Sequence, residues 1–228
     1  MKRLSVPHIV LMHSALYEEK QIVKKLLFLI IIALFSLSLG ACANKTENNG
    51  PLSKEGIAPY ELTEKETYLL DSFGLRNESQ IIEFSAPDEA ITLSVNVYCL
   101  GDDGKWNNTD GGAISIGKER EPVENLKGIF TMALREDYVI DFIINSSGKA
   151  SYKTKKITLE TEAIASVKAF LEEFQVIELN KEIPVALMVY DSGTTMRSYS
   201  VQDYFEPAKF EDMDLVQALT LTFSDKQI

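Results

Sequence analysis

Histidine is almost missing from this chain: His8 and His13 are the only two, so no imidazole lies beyond residue 13. Without one, the rest of the chain cannot build a Ser-His-Asp or Cys-His nucleophile pair. Zinc sites that use histidine are excluded there too. Cysteine is equally scarce, with Cys42 and Cys99 alone, and there is a single tryptophan, Trp106. Basic charge is short as well: 23 Lys and Arg face 34 Asp and Glu, a net charge of −11. Nucleic acids and anionic lipid surfaces are recognised through basic patches, so this balance disfavours both as partners. No GxxxxGK[ST] or GxGxxG stretch occurs, which removes the common phosphate-cradling loops.

What the sequence does have, near its start, is one long apolar run. Residues 26–39 read LLFLIIIALFSLSL, preceded by Lys24 and Lys25 and followed by the small residues Gly40 and Ala41. A positive stretch, an apolar stretch and small residues at a cleavage point make a secretory signal. The run is about 14 residues long, short of the ~20 that a membrane-spanning helix needs. Leu39-Gly40-Ala41-Cys42 resembles the lipobox of bacterial lipoprotein precursors. The resemblance implies that the Cys42 sulfur takes a diacylglyceryl group and that the chain is cut before it. Residues 1–41 are then leader and signal peptide, and the mature protein sits on the outer face of the cell membrane. A single acyl chain binds only marginally, at ~0.8 kcal/mol per buried methylene, whereas two or three on one cysteine hold durably. The signal begins late in the chain. Translation from Val23, with Met12 as the alternative start, would give a conventional signal.

The prefix carries five basic residues (Lys2, Arg3, Lys20, Lys24, Lys25) and two acidic ones (Glu18, Glu19). Residues 42–228 therefore hold 18 basic and 32 acidic side chains, a net charge of −14. That is enough chain for one domain with a proper core. With Cys42 lipidated, Cys99 has no partner for an intrachain disulfide. It lies in the apolar stretch ITLSVNVYCL and reads as an inert thiol. Acid–base chemistry is left to Asp, Glu, Lys, Tyr or Cys. Serine–lysine chemistry is not excluded outright, yet no S-x-x-K stands at the start of a recognisable helix: Ser147-Gly148-Lys149 is a turn and Ser166-Val167-Lys168 has the wrong spacing.

Residues 42–59 are polar and turn-rich and read as a flexible tether, leaving 60–228 as the domain. Thr63 followed three residues later by Glu66 is a capping-box signature. It predicts a short helix whose Leu69, Leu70 and Phe73 plug one end of the domain and which Gly74 ends. Strands follow: residues 80–85, 90–100, 113–117, 127–134, 138–144, 150–159, 176–179, 183–190 and 215–223, set by alternation and β-branched content. Residues 101–104 are a turn after which Lys105-Trp106 starts a return strand, and Asn180-Lys181-Glu182 is the turn between 176–179 and 183–190. Residues 163–174 fit both periods, and the all-β surroundings favour a strand. About nine short strands at this spacing predict a mainly β fold, a two-sheet antiparallel sandwich of immunoglobulin-like or jelly-roll type with one short N-terminal helix.

Two stretches could carry a site. Residues 101–112, GDDGKWNNTDGG, are dense in oxygen donors: Asp102, Asp103, Asn107, Asn108 and Asp110 could surround Ca²⁺, which takes six to eight oxygen ligands. The spacing does not fit an EF-hand, and ordinary hairpin chemistry accounts for the same residues. Trp106, with Tyr199 and Tyr204, could form an aromatic platform for a glycan, or could simply pack. Glu172 and Glu173 invite a glycosidase reading, yet neighbours on a strand face opposite ways. The stretches LTEKETYLLDSFGL, EIPVALMVYDSGTTMRSYS and DLVQALTLTFSD resemble uncharacterised lipoproteins of clostridial-type Gram-positive bacteria. That likeness implies a location and no chemistry. The sequence thus predicts a lipid-anchored, non-enzymatic module that binds a glycan or protein ligand, with no cofactor. A carboxylate-dependent hydrolase acting on glycans and a structural envelope protein are the alternatives.

Overall fold

The computed structural model describes residues 52–116, 125–194 and 197–227. The leader, Val23, the lipobox, Cys42 and the tether as far as Pro51 lie outside these described residues. Among the described residues ten strands and one α-helix follow in order: β1 (Gly56–Pro59), α1 (Glu64–Ser72), β2 (Ser79–Ser85), β3 (Thr92–Leu100), β4 (Trp106–Ser115), β5 (Lys127–Leu134), β6 (Ile140–Asn145), β7 (Lys149–Lys153), β8 (Ala165–Phe170), β9 (Glu182–Asp191) and β10 (Leu215–Ser224). They form two five-stranded sheets, β1-β2-β5-β6-β7 and β4-β3-β10-β9-β8, with every pairing antiparallel. This is the two-sheet sandwich that the alternating sequence predicts.

The alternation explains the layers. Successive residues of a strand face opposite sides, so β2 sends Ile82 and Phe84 inward while Ile81 and Glu83 face out. Facing them from the second sheet are Leu93, Val95, Val97, Leu219, Leu221 and Phe223, none more than 1% exposed. Phe84 meets Phe223 across the sandwich with ring centroids 5.7 Å apart.

Several elements differ from the sequence reading. The end of the supposed tether is a strand: β1 pairs with β2, and Ile57 is fully buried. The return strand begins at Trp106, where the sequence places it, but runs unbroken to Ser115 instead of leaving a separate short strand at 113–117. The pair Gly111-Gly112 makes this possible. A Cβ on Gly112 would come within 2.4 Å of the Tyr152 ring. Tyr152, on β7, crosses to β4, where its hydroxyl donates to Ala113 O at 2.6 Å and accepts from Ala113 N at 3.0 Å. One edge of the sandwich is thereby closed. Residues 176–179 are not a strand; the local pairing is a single bridge between Ile57 and Gln175. Residues 165–170 are a strand, paired with β9.

Helix α1 forms by its local signals. Thr63 Oγ1 accepts from Glu66 N at 3.3 Å, and Glu66 Oε2 accepts from Thr63 N at 2.8 Å. These bonds satisfy two of the donors that a helix start leaves open, and they hold the Glu66 carboxyl below its ordinary range. At the other end Gly74 takes φ +67, and the bonds Leu75 N to Leu70 O and Gly74 N to Asp71 O terminate the helix in a Schellman motif. The helix is not the expected plug. It buries no residue, and Tyr68, Leu69 and Phe73 are 72%, 54% and 73% exposed.

Candidate functional site

The outer face of the second sheet is built in rows by strand register. Thr222 of β10 stands between Glu182 of β9 and Ser94 of β3; Thr220 stands between Pro184 and Asn96; Ala218 stands between Leu187 and Tyr98. Tyr98 in turn faces Asn108 of β4, and Leu100 faces Trp106. The face is therefore polar at one end and apolar at the other. A strap, residues 199–213, lies over the apolar end and contains two 3-10 turns, Val201–Phe205 and Pro207–Phe210. Its Tyr204 and Phe210 pack on Leu187, Val189, Val216 and Ala218.

Trp106 and Tyr204 stack directly and Tyr199 joins them through Phe210, as packing between strap and sheet rather than as an open platform. Tyr204 is only 7% exposed. Trp106 stacks on it with centroids 5.0 Å apart, and Trp106 Nε1 donates to Tyr204 O at 2.9 Å. Tyr199 is half-buried, with its ring 5.1 Å from that of Phe210. Burying large rings over an otherwise bare apolar sheet face stabilises the fold more than displaying them would.

At the edge of the strap the polar end gathers on one carboxylate. Glu182 Oε2 accepts from the Tyr204 hydroxyl at 2.8 Å, and Oε1 accepts from the Tyr98 hydroxyl. Asn96 Nδ2 and Thr220 Oγ1 approach Oε1 at 3.4 Å. Asn108 Nδ2 extends the network by donating to Asn96 Oδ1 at 3.2 Å. Across β10 in register from Glu182, Thr222 Oγ1 is a buried atom without a hydrogen-bond partner. Burial and the bond to Glu182 push the Tyr98 hydroxyl up to about 12. The same two causes raise that of Tyr204. Both phenols stay protonated donors at neutral pH, as the carboxylate requires. Nothing in the sequence singles out Glu182 or Asn96: Glu182 ends the turn at 180–182, and its partners lie 22 to 86 residues away.

The oxygen-rich stretch does not form a cage. Asp102 and Asp103 sit in the tight turn at 101–104, where Gly104 N donates to Gly101 O and Lys105 N donates to Asp103 Oδ1 at 3.1 Å. Asn107 Nδ2 donates to Lys105 O, while Asp110 accepts from Gly111 N and Lys155 N. Backbone donors thus occupy Asp103 Oδ1 and both carboxylate oxygens of Asp110. Among the described residues no group of three or more His, Cys, Asp or Glu could hold a metal ion. Glu172 and Glu173 are exposed just beyond the end of β8. Burial raises the Cys99 thiol, which leaves it in its unreactive protonated form. Among the described residues no helix is long and apolar enough to cross a membrane. No family model, no curated protein and no solved structure matches this chain.

Proposed function

We propose that this protein is a lipid-anchored module of the outer face of the cell membrane that binds a ligand without transforming it. The observation that carries the non-catalytic part is the setting of Glu182: its hydrogen-bond partners are two tyrosine hydroxyls, a threonine and an amide, with no second carboxyl among them. A glycosidase needs a second carboxyl roughly 5 to 9 Å away across the scissile bond. Here the neighbours are phenols and amides, a set that holds rather than reacts. Anchoring is supported by the apolar run at 26–39 and by Leu39-Gly40-Ala41-Cys42.

Metabolic labelling with radioactive palmitate in a Gram-positive host tests the anchor. Wild-type protein is expected to carry label and to fractionate with membranes, and Cys42→Ala to lose both. Equal labelling of the two would refute the assignment. A second reading, a module for a protein partner, is favoured by the exposed Tyr68, Leu69 and Phe73 of α1, since clustered exposed apolar groups mark interaction surfaces.

A further inference from the structure

We infer that the polar end of the second sheet's outer face, together with the strap residue Phe205, is a binding site for a neutral glycan. This rests on the binding-module reading and names its ligand. Three observations converge. First, Phe205 is 59% exposed although it lies on a strap whose other aromatic rings are wholly or partly buried. Its ring lies nearly perpendicular to that of Tyr204, with centroids 5.2 Å apart, and the residue stays more than half exposed despite that contact.

Second, Tyr204 joins that ring to the hydrogen-bonding network, because its hydroxyl is bound to Glu182. Exposed Asn108, half-buried Asn96 and half-buried Glu182 follow in an unbroken series of hydrogen bonds. These groups sit on the long strands β3, β4 and β9, and each fixes its neighbour's rotamer. A ligand therefore meets donors and acceptors that are already ordered, which lowers the entropic cost of binding. Glu182 Oε2 has one close donor, and a carboxylate offers roughly two lone-pair directions per oxygen. The Asn108 amide donates to Asn96 and to the Tyr98 oxygen, and its exposed carbonyl oxygen is the group it can offer a ligand hydroxyl.

Third, the ligand must present an apolar face to Phe205 and hydroxyls to the amides and carboxylate at once. A sugar ring does both, with its C–H face and its equatorial hydroxyls. An anionic glycan is disfavoured by the charge of −14 on residues 42–228 and by Glu182 itself. The site differs from the platform predicted from sequence: of Trp106, Tyr199 and Tyr204, only the Tyr204 hydroxyl contributes.

The test uses the full-length protein in a polyoxyethylene detergent, because sugar-headed detergents would compete. It is applied to an array of neutral and anionic oligosaccharides, and the strongest hit is titrated calorimetrically. Retention of neutral oligosaccharides is expected. Phe205→Ala and Asn108→Ala, both at exposed positions, should each weaken binding tenfold or more with unchanged Tm and Trp106 fluorescence. No retention by the wild type, retention of anionic glycans alone, or full binding by both variants would overturn the proposal. Any of these leaves the lipid anchor standing, since labelling at Cys42 is measured separately.

Discussion

Each sheet of the sandwich has a covering segment beside its outer face, and the two segments obey opposite rules. Next to the first sheet is α1, a nine-residue helix with a complete capping box and a Schellman terminus, yet without a buried residue. Over the second sheet lies the strap, with only short 3-10 turns and no long regular element, yet with Val201, Tyr204 and Phe210 buried. Helix α1 exists because its ends satisfy their own backbone groups. The strap exists because three large side chains leave water against a sheet. Good local structure and good tertiary attachment are separate properties, and a function that needs a rigid surface is better placed beside the second.

The largest expected effect comes from cutting the strap's anchor. Tyr204→Ala removes a buried ring stacked on Trp106 and one of the donors to Glu182. Truncating a buried aromatic residue costs about 3–5 kcal/mol, which chemical denaturation would show. Because Trp106 is the only tryptophan, its emission reports its packing under the strap and should shift to the red. An unshifted spectrum would mean that the strap does not depend on Tyr204.

Next in size is Gly112→Ala, which forces Tyr152 off β4. Overpacking of this kind costs about 1–3 kcal/mol, again read by denaturation. An unchanged midpoint would show that the Tyr152 clamp does not close this edge.

A third effect is set by pH. Free tyrosine titrates near 10, and Tyr98 is raised to about 12 in the fold. Below pH 10 both states hold the proton and the contribution is complete. As pH rises from 10 to about 12 the unfolded chain loses the proton first, so stability falls over that window. Tyr98→Phe should flatten this part of a Tm-against-pH curve. A curve as steep as the wild type's would disprove the assignment.

The smallest effect belongs to α1. Thr63→Ala breaks the capping box and loosens the helix by about 1 kcal/mol. Global unfolding should nevertheless move by less than about 0.5 kcal/mol, because no buried surface depends on the helix. Circular dichroism and denaturation together check both halves, and a large global loss would show that α1 supports the core.

These contrasts also explain what could be read from the sequence. Capping at Thr63 and Glu66 is local, and the helix is where the sequence places it. Strands with inward apolar alternation, such as β2 and β3, are legible for the same reason. Strand β1 is not, because GIAP carries no period and becomes a strand only by pairing with β2. The full length of β4 is hidden by its polar WNNTDGGAIS sequence, whose Gly112 answers to Tyr152, some forty residues on. Burial of Trp106 and Tyr204 depends on a strap folding back over strands distant in the chain. Glu182 becomes a centre only once register brings β3 and β10 beside β9. Pairing between distant segments decides each of these, and short-range pattern carries no trace of it.

Hydrogen exchange read by mass spectrometry tests most directly the claim that the second sheet presents a rigid, pre-ordered surface. The account predicts that amides of Val201–Phe205 and of β9 and β10 stay protected up to global unfolding, while those of Glu64–Ser72 exchange through local opening orders of magnitude faster. Fast exchange in the strap with slow exchange in the helix would contradict it.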